Sequence, residues 1–282
     1  MLVIARLVLR EAVRRRLLLA VVLLTVVTVG LTAWGFSRIP TLGATPLPPE
    51  QVKLIASQLL ILVGFMFSFV LALSAVFVAA PALSGEVESG VALAVLARPL
   101  SRTGYVVGKW LGMALLLLCY AAASVVLELV AVRAVVDYTP PAPVEAFLYL
   151  YAEGVVLLTL GLALSTRLSG MVGGVVALVS FGIAWMGGIV GGIGQVFDNE
   201  TITHVGTVTK LLLPTDGLWR GAVHALEPIA VVTAARGAPG PAIAANPFFA
   251  LAAPPPQYVA WSLAWIAIVL AVAVWSFRVR EV

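Results

Sequence analysis

The sequence predicts an all-α integral membrane protein with six transmembrane helices. Of its 282 residues, 62% are hydrophobic and only 11% are charged, whereas soluble globular domains carry about a quarter charged residues. Six apolar stretches reach the roughly 20 residues that a helix needs to cross the hydrocarbon core. They lie at about 17–36, 54–80, 110–136, 147–166, 170–195 and 258–277. We therefore treat residues 1–282 as one transmembrane domain.

The distribution of lysine and arginine predicts the orientation of this domain. With the N-terminus inside, eleven of the 17 basic residues fall in cytosolic segments. This bias favours a cytosolic location for both termini. Arginines that face anionic lipid also account for the net charge of +4, so the charge indicates a bilayer partner and no nucleic acid.

The first 16 residues are predicted to form a helix that lies in the cytosolic interface. Arginines recur every four residues and apolar side chains lie roughly opposite, which gives a helix one basic and one apolar face. These faces are formed by Arg6, Arg10 and Arg14 and by Leu2, Leu9 and Val13. A straight basic extension of the first span is the alternative interpretation.

Residues 84–108, between the second and third spans, concentrate charge in an otherwise apolar chain. Glu86 and Glu88 close the second span, and a short apolar run that favours a helix follows over 91–97. Arg98-Pro99-Leu100-Ser101-Arg102 comes next, and Gly108-Lys109 opens the third span. We interpret this segment as a cytosolic docking element; a positive-inside loop with incidental acids is the alternative.

The segment 196–257 is long for a simple connection and too apolar for an independent soluble domain. Pro214-Thr215-Asp216 is a plausible helix start, because Thr or Asp can cap a helix and proline cannot continue a preceding one. We expect one or two short helices that re-enter or lie on the outer leaflet. Ordinary surface helices are the alternative.

Three ionisable residues, Glu128, Arg133 and Glu153, lie in or near predicted hydrocarbon, where charge is costly and usually faces a partner or a wet cavity. Arg133 is four residues from Asp137 and could pair with it on one helix. Glu153 lies at a comparable depth across the predicted hairpin and could also reach Arg133. Glu128 has no partner nearby in sequence. An intramembrane ion pair and a translocation path are therefore both open.

The fifth span is rich in glycine. Gly170 with Gly174 and Gly187 with Gly191 have the small-xxx-small spacing that lets helices approach closely in lipid. The pattern predicts a packing face. Its neighbour is either another span of this chain or a second copy, in which case these glycines form a dimer interface.

The sequence predicts no catalytic residue, no metal site and no bound cofactor. It lacks the phosphate loop Gly-x-x-x-x-Gly-Lys-[Ser/Thr] and the Gly-x-Ser-x-Gly elbow. The spacing of His204 and His224 matches no metal motif, and the single Cys119 rules out an internal disulfide. If the protein uses ATP, another chain binds it.

The docking element resembles the signature of ABC type-2 transporter permeases. In that signature an acidic Gly-Glu-x-Glu-x-Gly element leads through a short helix to Arg-Pro-Leu-Ser-Arg and Gly-Lys. Here these residues are Gly85, Glu86, Glu88, Gly90, Arg98, Pro99, Leu100, Ser101, Arg102, Gly108 and Lys109. The late Leu-Pro-Thr-Asp element at 213–216 is similar to one in permeases of the nitrous oxide reductase maturation type.

The resemblance implies a half-transporter, an exporter of a bacterial inner membrane, that dimerises with itself or a related permease. Two separate ATPase subunits, which carry ATP and Mg, would dock on it. The ATPase-coupling residues would be Glu86, Glu88, Gly90, Arg98, Pro99, Ser101, Arg102 and Lys109, with 91–96 as the apolar face of a coupling helix. The first and fifth spans would line the dimer interface.

Two other functional classes stay open at this point. A secondary transporter or channel would use Glu128, Arg133 and Glu153 as an ion path and would work without an ATPase. A membrane scaffold would bind partners and move nothing. The sequence does not identify a substrate.

Overall fold

The computed structural model describes residues 4–9, 17–43, 45–90, 101–237 and 245–280, and these are helical or loop with no strand. Residues 4–9 form a short helical segment, and a 3₁₀ turn occupies Ile39–Thr41. The longer elements are α1 (Leu17–Ser37), α2 (Pro49–Ala79), α3 (Ser84–Glu88), α4 (Arg102–Val136), α5 (Pro143–Ser165), α6 (Gly170–Val196), α7 (Glu200–Leu212), α8 (Asp216–Leu226), α9 (Ile229–Gly237) and α10 (Pro256–Arg278). The all-α membrane architecture is confirmed.

Five helices in the described ranges are long and apolar enough to cross a membrane: Pro49–Glu88, α4, α5, α6 and α10. They coincide with the second to sixth predicted spans. The first predicted span coincides with α1, which has 21 residues and is about 31 Å long at 1.5 Å per residue. Because α1 is not among the five, the count of six spans stays a prediction.

The ends of these helices follow from local sequence. Proline occupies the first turn of α2, α5 and α10, where its missing N–H would have no helical partner in any case. The Ser101 hydroxyl caps α4 by accepting from the Gly104 N–H at 3.1 Å. The same helix ends at Asp137, whose φ of 50° is left-handed and turns the chain toward α5.

The bundle has two ends, which we call the docking end and the outer end. At the docking end, Ala5 lies over Gly112 and Arg102 contacts Arg278, so both ends of the described chain lie on the same side as the docking element. At the outer end, a hydrophobic cluster joins Phe36 at the end of α1 to the far ends of α2 and α4 and to α8.

The N-terminal segment packs against α4 through a face other than the predicted one. Ile4 and Ala5 are buried, and Ala5 and Val8 lie directly over Gly112, where the missing side chain admits the segment. Arg6 is exposed, as predicted, whereas Leu9 is only half-buried. Most residues of the two predicted faces lie outside the described residues, namely Leu2, Arg10, Val13 and Arg14.

At the outer end the chain reverses between α6 and α7 within three residues. Asp198 adopts a left-handed φ of 51°, and the Asn199 side chain caps α7 by accepting from the Ile202 N–H at 3.1 Å. The helices then lie against each other at Gly194 and Thr203, at Gly191 and Gly206, and at Gly187 and Thr209. Since Gly187 precedes the end of α6 by nine residues, α7 returns about 14 Å along a membrane-spanning helix. It has the re-entrant geometry expected from the sequence.

Side chains of α10 satisfy the C-terminal carbonyls of this re-entrant helix. The donors Tyr258 Oη, Trp261 Nε1 and Trp265 Nε1 lie 3.3, 3.0 and 2.8 Å from the carbonyl oxygens of Lys210, Leu211 and Leu212. These carbonyls have no helical partner, because α7 ends before Pro214. Unsatisfied backbone groups are costly in hydrocarbon, so the aromatic face of α10 stabilises the end of α7.

The second helix of the outer segment, α8, is buried in the bundle, so it is not an ordinary surface helix. Leu218, Trp219, Ala222 and Val223 are at most 1% exposed. The helix packs on α5, and the Trp219 Nε1–H donates to the Pro247 carbonyl at 2.7 Å. In contrast, α9 exposes Ile229.

A buried carboxyl links α8 to the segment that precedes α10. Glu227 is 1% exposed and accepts from the Ala250 N–H at 3.3 Å, while His224 Nδ1 lies 3.1 Å from the Ala250 oxygen. Burial raises the pKa of Glu227 from 4.5 to about 7, although the Ala250 hydrogen bond opposes the rise. Burial therefore favours the protonated form of Glu227 in the folded protein.

We expect this group to make the outer end more stable in acid. A raised acid pKa contributes stability that is complete below pH 4.5 and is lost as the pH rises through about 7, by up to about 3 kcal/mol. Glu227→Gln should remove the part of the pH dependence of thermal unfolding in detergent that falls between these values. Glu145→Gln, which alters an exposed carboxyl at the start of α5, should keep it; equal pH profiles for wild type and Glu227→Gln would contradict the assignment.

Candidate functional site

The acidic and basic halves of the docking element meet in one cluster between α3 and α4. Lys109 Nζ lies 2.6 Å from Glu86 Oε1 and donates to the Ala82 carbonyl at 2.5 Å. The Tyr105 hydroxyl donates to the other oxygen of Glu86. Thus Glu86 and Lys109, 23 positions apart in the sequence, form a direct ion pair.

The local sequence explains this arrangement. Tyr105 and Lys109 are four residues apart and so lie on one face of α4. Tyr105 is 2% exposed and stacks on Phe277 of α10 at 5.7 Å. Lys109 is 7% exposed, and a charge this deeply buried requires a paired and hydrogen-bonded partner. The pair therefore fixes α3 to the first turns of α4.

A second set of contacts fixes the start of α4 to the end of α10. Arg102 Nη1 donates to the carbonyls of Arg278 and Arg280 at 3.0 and 2.7 Å. Cations at a helix C-terminus satisfy free carbonyls and the negative end of the dipole. The Arg280 guanidinium donates in turn to the Thr166 carbonyl at 2.6 Å, so the turn between α5 and α6 joins the set.

Arg167 completes these contacts at the docking end. Its Nε donates to the Ser276 hydroxyl at 2.9 Å and its Nη2 to the Ser276 carbonyl at 3.2 Å. The Thr166 and Ser276 hydroxyls are 2.9 Å apart. A displacement of the docking element would consequently act on α2, α4, α5 and α10 together.

The predicted coupling residues divide into internal and exposed groups. Glu86, Arg102 and Lys109 contact other parts of this chain, Ser101 caps its own helix at an exposed position, and Glu88 is exposed. Gly90 has a φ of 74°, a conformation that suits glycine. Arg98, Pro99 and the apolar run at 91–97 lie outside the described residues.

The structure brings Glu153 to Ser68 on α2. Glu153 is 3% exposed and accepts from the Ser68 hydroxyl at 2.9 Å. Arg133 is exposed, and no salt bridge between described residues joins it to Asp137 or Glu153. The predicted ion pair is therefore not formed in this structure, because Asp137 instead ends α4 through its backbone and Glu153 faces the interior of the bundle.

Glu128 is buried at a depth of about 12 Å from the outer end of α4, eight residues before Val136. Its Oε1 accepts from the Thr32 hydroxyl of α1 at 3.4 Å. Its Oε2 has no hydrogen-bond partner in the described part of the chain. This carboxyl therefore retains an unused acceptor inside the membrane domain.

The glycine pairs of α6 pack within the chain, which corrects the dimer-interface interpretation. Gly187 and Gly191 face Thr209 and Gly206 of α7. At the other end, Gly170 lies on Pro81, and Gly174 lies on Ala80 and Val76. The spacing correctly predicted close packing, but the partners are the re-entrant helix and the end of α2. The face of α6 that carries Met171, Val175, Val179 and Ile183 is exposed.

A family model described as ABC-2 family transporter protein matches residues 2–282. The chain belongs to the ABC-2 transporter family. This match confirms the resemblance to ABC type-2 permeases carried by the docking element, and it makes the protein a membrane component of a transporter that is not itself the catalytic subunit. No curated protein matches the chain.

One ionic cluster of this ABC-2 permease was not predicted. Asp216, the last residue of the Leu-Pro-Thr-Asp element, is 1% exposed and lies 3.4 Å from Lys210 Nζ and 3.2 Å from Arg220 Nε. Its carboxyl fills the space over Gly188 of α6. The i, i+4 spacing of Asp216 and Arg220 was the available signal, but the role of Gly188 depends on the fold.

Proposed function

We propose that this permease is the membrane subunit of an ATP-driven exporter and that separate ATPase subunits dock on residues 84–109. The observation that carries the proposal is the Glu86–Lys109 ion pair, which ties the acidic and basic halves of the docking element to the membrane helices. ABC-2 permeases generally work with ABC ATPase subunits. In this chain, docked subunits that close on ATP would move α3 and, through Lys109 and Arg102, the spans behind it.

The proposal assigns ATP and Mg to the partner subunits, because the sequence lacks a phosphate loop. It also includes a second copy of this chain or a related permease. The exposed apolar face of α6, which includes Val175 and Ile183, offers a contact for it. Arg102, Arg167, Arg278 and Arg280 cluster at the docking end, which favours a cytosolic location for this end, and with it both termini, in a bacterial inner membrane.

The distinction between internal and exposed residues selects the variant that tests docking. Glu88→Ala removes an exposed carboxyl from α3 without breaking a described contact. We expect it to lower the amount of ATPase subunit that co-purifies with the tagged chain from its native membrane by about three- to fivefold, as for the loss of one interfacial charge pair. Co-purified ATPase activity should fall in parallel.

The matched control is Glu145→Ala, which removes an exposed carboxyl at the outer end and should leave the complex unchanged. Equal recovery for wild type, Glu88→Ala and Glu145→Ala would remove Glu88 from the docking surface. The proposal would be overturned if the tagged chain purified without any ATPase under conditions that preserve other transporter complexes. That result would favour transport driven by an ion gradient.

A further inference from the structure

An elongated groove runs along the membrane-facing side of α4, between that helix and α1 and α2. Its volume is about 420 Å³, and the side chains that line it are almost entirely apolar. Val26 of α1 and Val78 of α2 form its sides, and its floor follows α4 from Met113 to Leu127. Leu127 follows Met113 by 14 positions, which corresponds to about 21 Å, more than half of the roughly 30 Å hydrocarbon core.

The groove ends beside an unsatisfied polar pair. Ser124 forms the wall between the groove and a smaller cavity that Glu128 lines. Ser124 is 3% and Glu128 9% exposed, and neither Ser124 Oγ nor Glu128 Oε2 has a hydrogen-bond partner among the described residues. Since the two residues are four apart, both side chains lie on one face of α4.

Unpaired acceptors at this depth indicate a ligand that brings donors. A buried carboxyl oxygen without a partner is costly in hydrocarbon, and no salt bridge between described residues includes Glu128. A primary ammonium group has three N–H donors and could serve Glu128 and Ser124 at once. A head group with a carboxylate or phosphate and no ammonium group would instead add repulsion.

We propose that the groove binds an amphipathic amine, with one hydrocarbon chain along Met113–Leu127 and its ammonium group at Ser124 and Glu128. Two sources share this chemistry: a molecule that the transporter moves, and an amine-bearing lipid of the surrounding bilayer. The geometry of the groove does not depend on ATPase docking. Failure of the amine to bind would therefore leave the proposed function intact, and failure of ATPase docking would leave the amine site intact.

The test is saturable photolabelling of the full chain in phosphatidylcholine nanodiscs. The probe is hexadecylamine with a diazirine in the middle of its chain, and the matched control probe is the fatty acid of the same length. Cleavage after Lys109 and Arg133 releases one tryptic peptide, 110–133, that contains the whole floor of the groove. We expect saturable labelling of this peptide by the amine and only weak, unsaturable labelling by the acid.

Three variants assign the contacts. Glu128→Gln, which keeps the side-chain shape, should weaken amine labelling about tenfold, as expected for a lost charge-assisted hydrogen bond. Ser124→Ala should weaken it less. Ala123→Trp, at a position that lines the groove, should abolish labelling by filling the space. Unchanged elution in size-exclusion chromatography and an unchanged melting temperature show that each variant is folded.

The outcomes separate the sources and the competing interpretations. Loss of labelling when phosphatidylethanolamine replaces part of the phosphatidylcholine identifies a resident lipid; persistence identifies a free amphipathic amine. Equal, unsaturable labelling by amine and acid would mean annular lipid and overturn the proposal. So would absent labelling together with cross-linking of Cys119, the single cysteine and also a lining residue, between two copies by a bismaleimide, because a second copy would then cover the groove.

Discussion

Gly206→Ala is expected to cause a large loss of stability in this protein, at least about 2 kcal/mol. A methyl group on Gly206 would lie 2.8 Å from the Gly191 nitrogen and 2.9 Å from the Gly187 oxygen. These are backbone atoms, which cannot turn away as a flexible side chain can. The added methyl group would require α7 to move away from α6. The apparent melting temperature in detergent should therefore fall, and limited proteolysis should cleave faster within 197–213.

The matched control is Gly182→Ala on α6, where an added methyl group meets nothing within 4 Å. It should be neutral or stabilising, because alanine favours a helix over glycine by roughly 0.5–1 kcal/mol. Similar melting temperatures for the two variants would show that the two helices are not in close contact in the membrane. A selective loss in Gly206→Ala would establish the re-entrant hairpin independently of the transport function.

The glycines of α6 also show what sequence reasoning can and cannot predict. Spacing alone identified Gly187 and Gly191 as a close-packing surface, because small residues four apart have few other uses on an apolar helix. The identity of the partner depends on the reversal at 197–199, which is set by a left-handed Asp198 and the Asn199 cap. Neither residue type specifies such a turn, so the partner could not be read from periodicity.

The spans were predictable for a different reason. Backbone groups in hydrocarbon must be satisfied within the helix, so an apolar run of sufficient length such as α5 or α10 has few alternatives. Side-chain partners have many more. Glu153 was expected near Arg133 at the outer end, but it faces Ser68 across the bundle, because depth along a helix is readable from sequence and rotation about its axis is much less so.

In the docking element, the location of the charges was predictable from sequence, but their partners were not. The charges of Glu86 and Lys109 marked it as a site of contact, and the family resemblance assigned them to coupling. The structure pairs them with each other, so their charges hold the element in place, whereas Glu88 is exposed. The motif thus marked a charged contact, but only the fold could separate the residues that pair within the chain from the exposed one.

Lys109→Met is expected to destabilise the docking end by about 2 kcal/mol or more, since it removes one member of a largely buried pair and leaves a carboxylate behind. Glu86 would keep its hydrogen bond from Tyr105 but lose the cation 2.6 Å from its oxygen. The Ala82 carbonyl would also lose a donor. The melting temperature in detergent should fall, and proteolysis at 84–101 should become faster.

A double variant separates the pair from the general loss of a lysine. Glu86→Gln/Lys109→Met leaves no unpaired charge and should recover part of the stability, which gives a coupling energy in a double-mutant cycle. Lys53→Met, at the outer end of α2 and in no salt bridge among the described residues, should have little effect. If the double variant were as unstable as the sum of the two single variants, the ion pair would contribute nothing. Motion of the docking element would then have to reach α4 through its other contacts, such as the Tyr105–Glu86 hydrogen bond and the stacking of Tyr105 on Phe277.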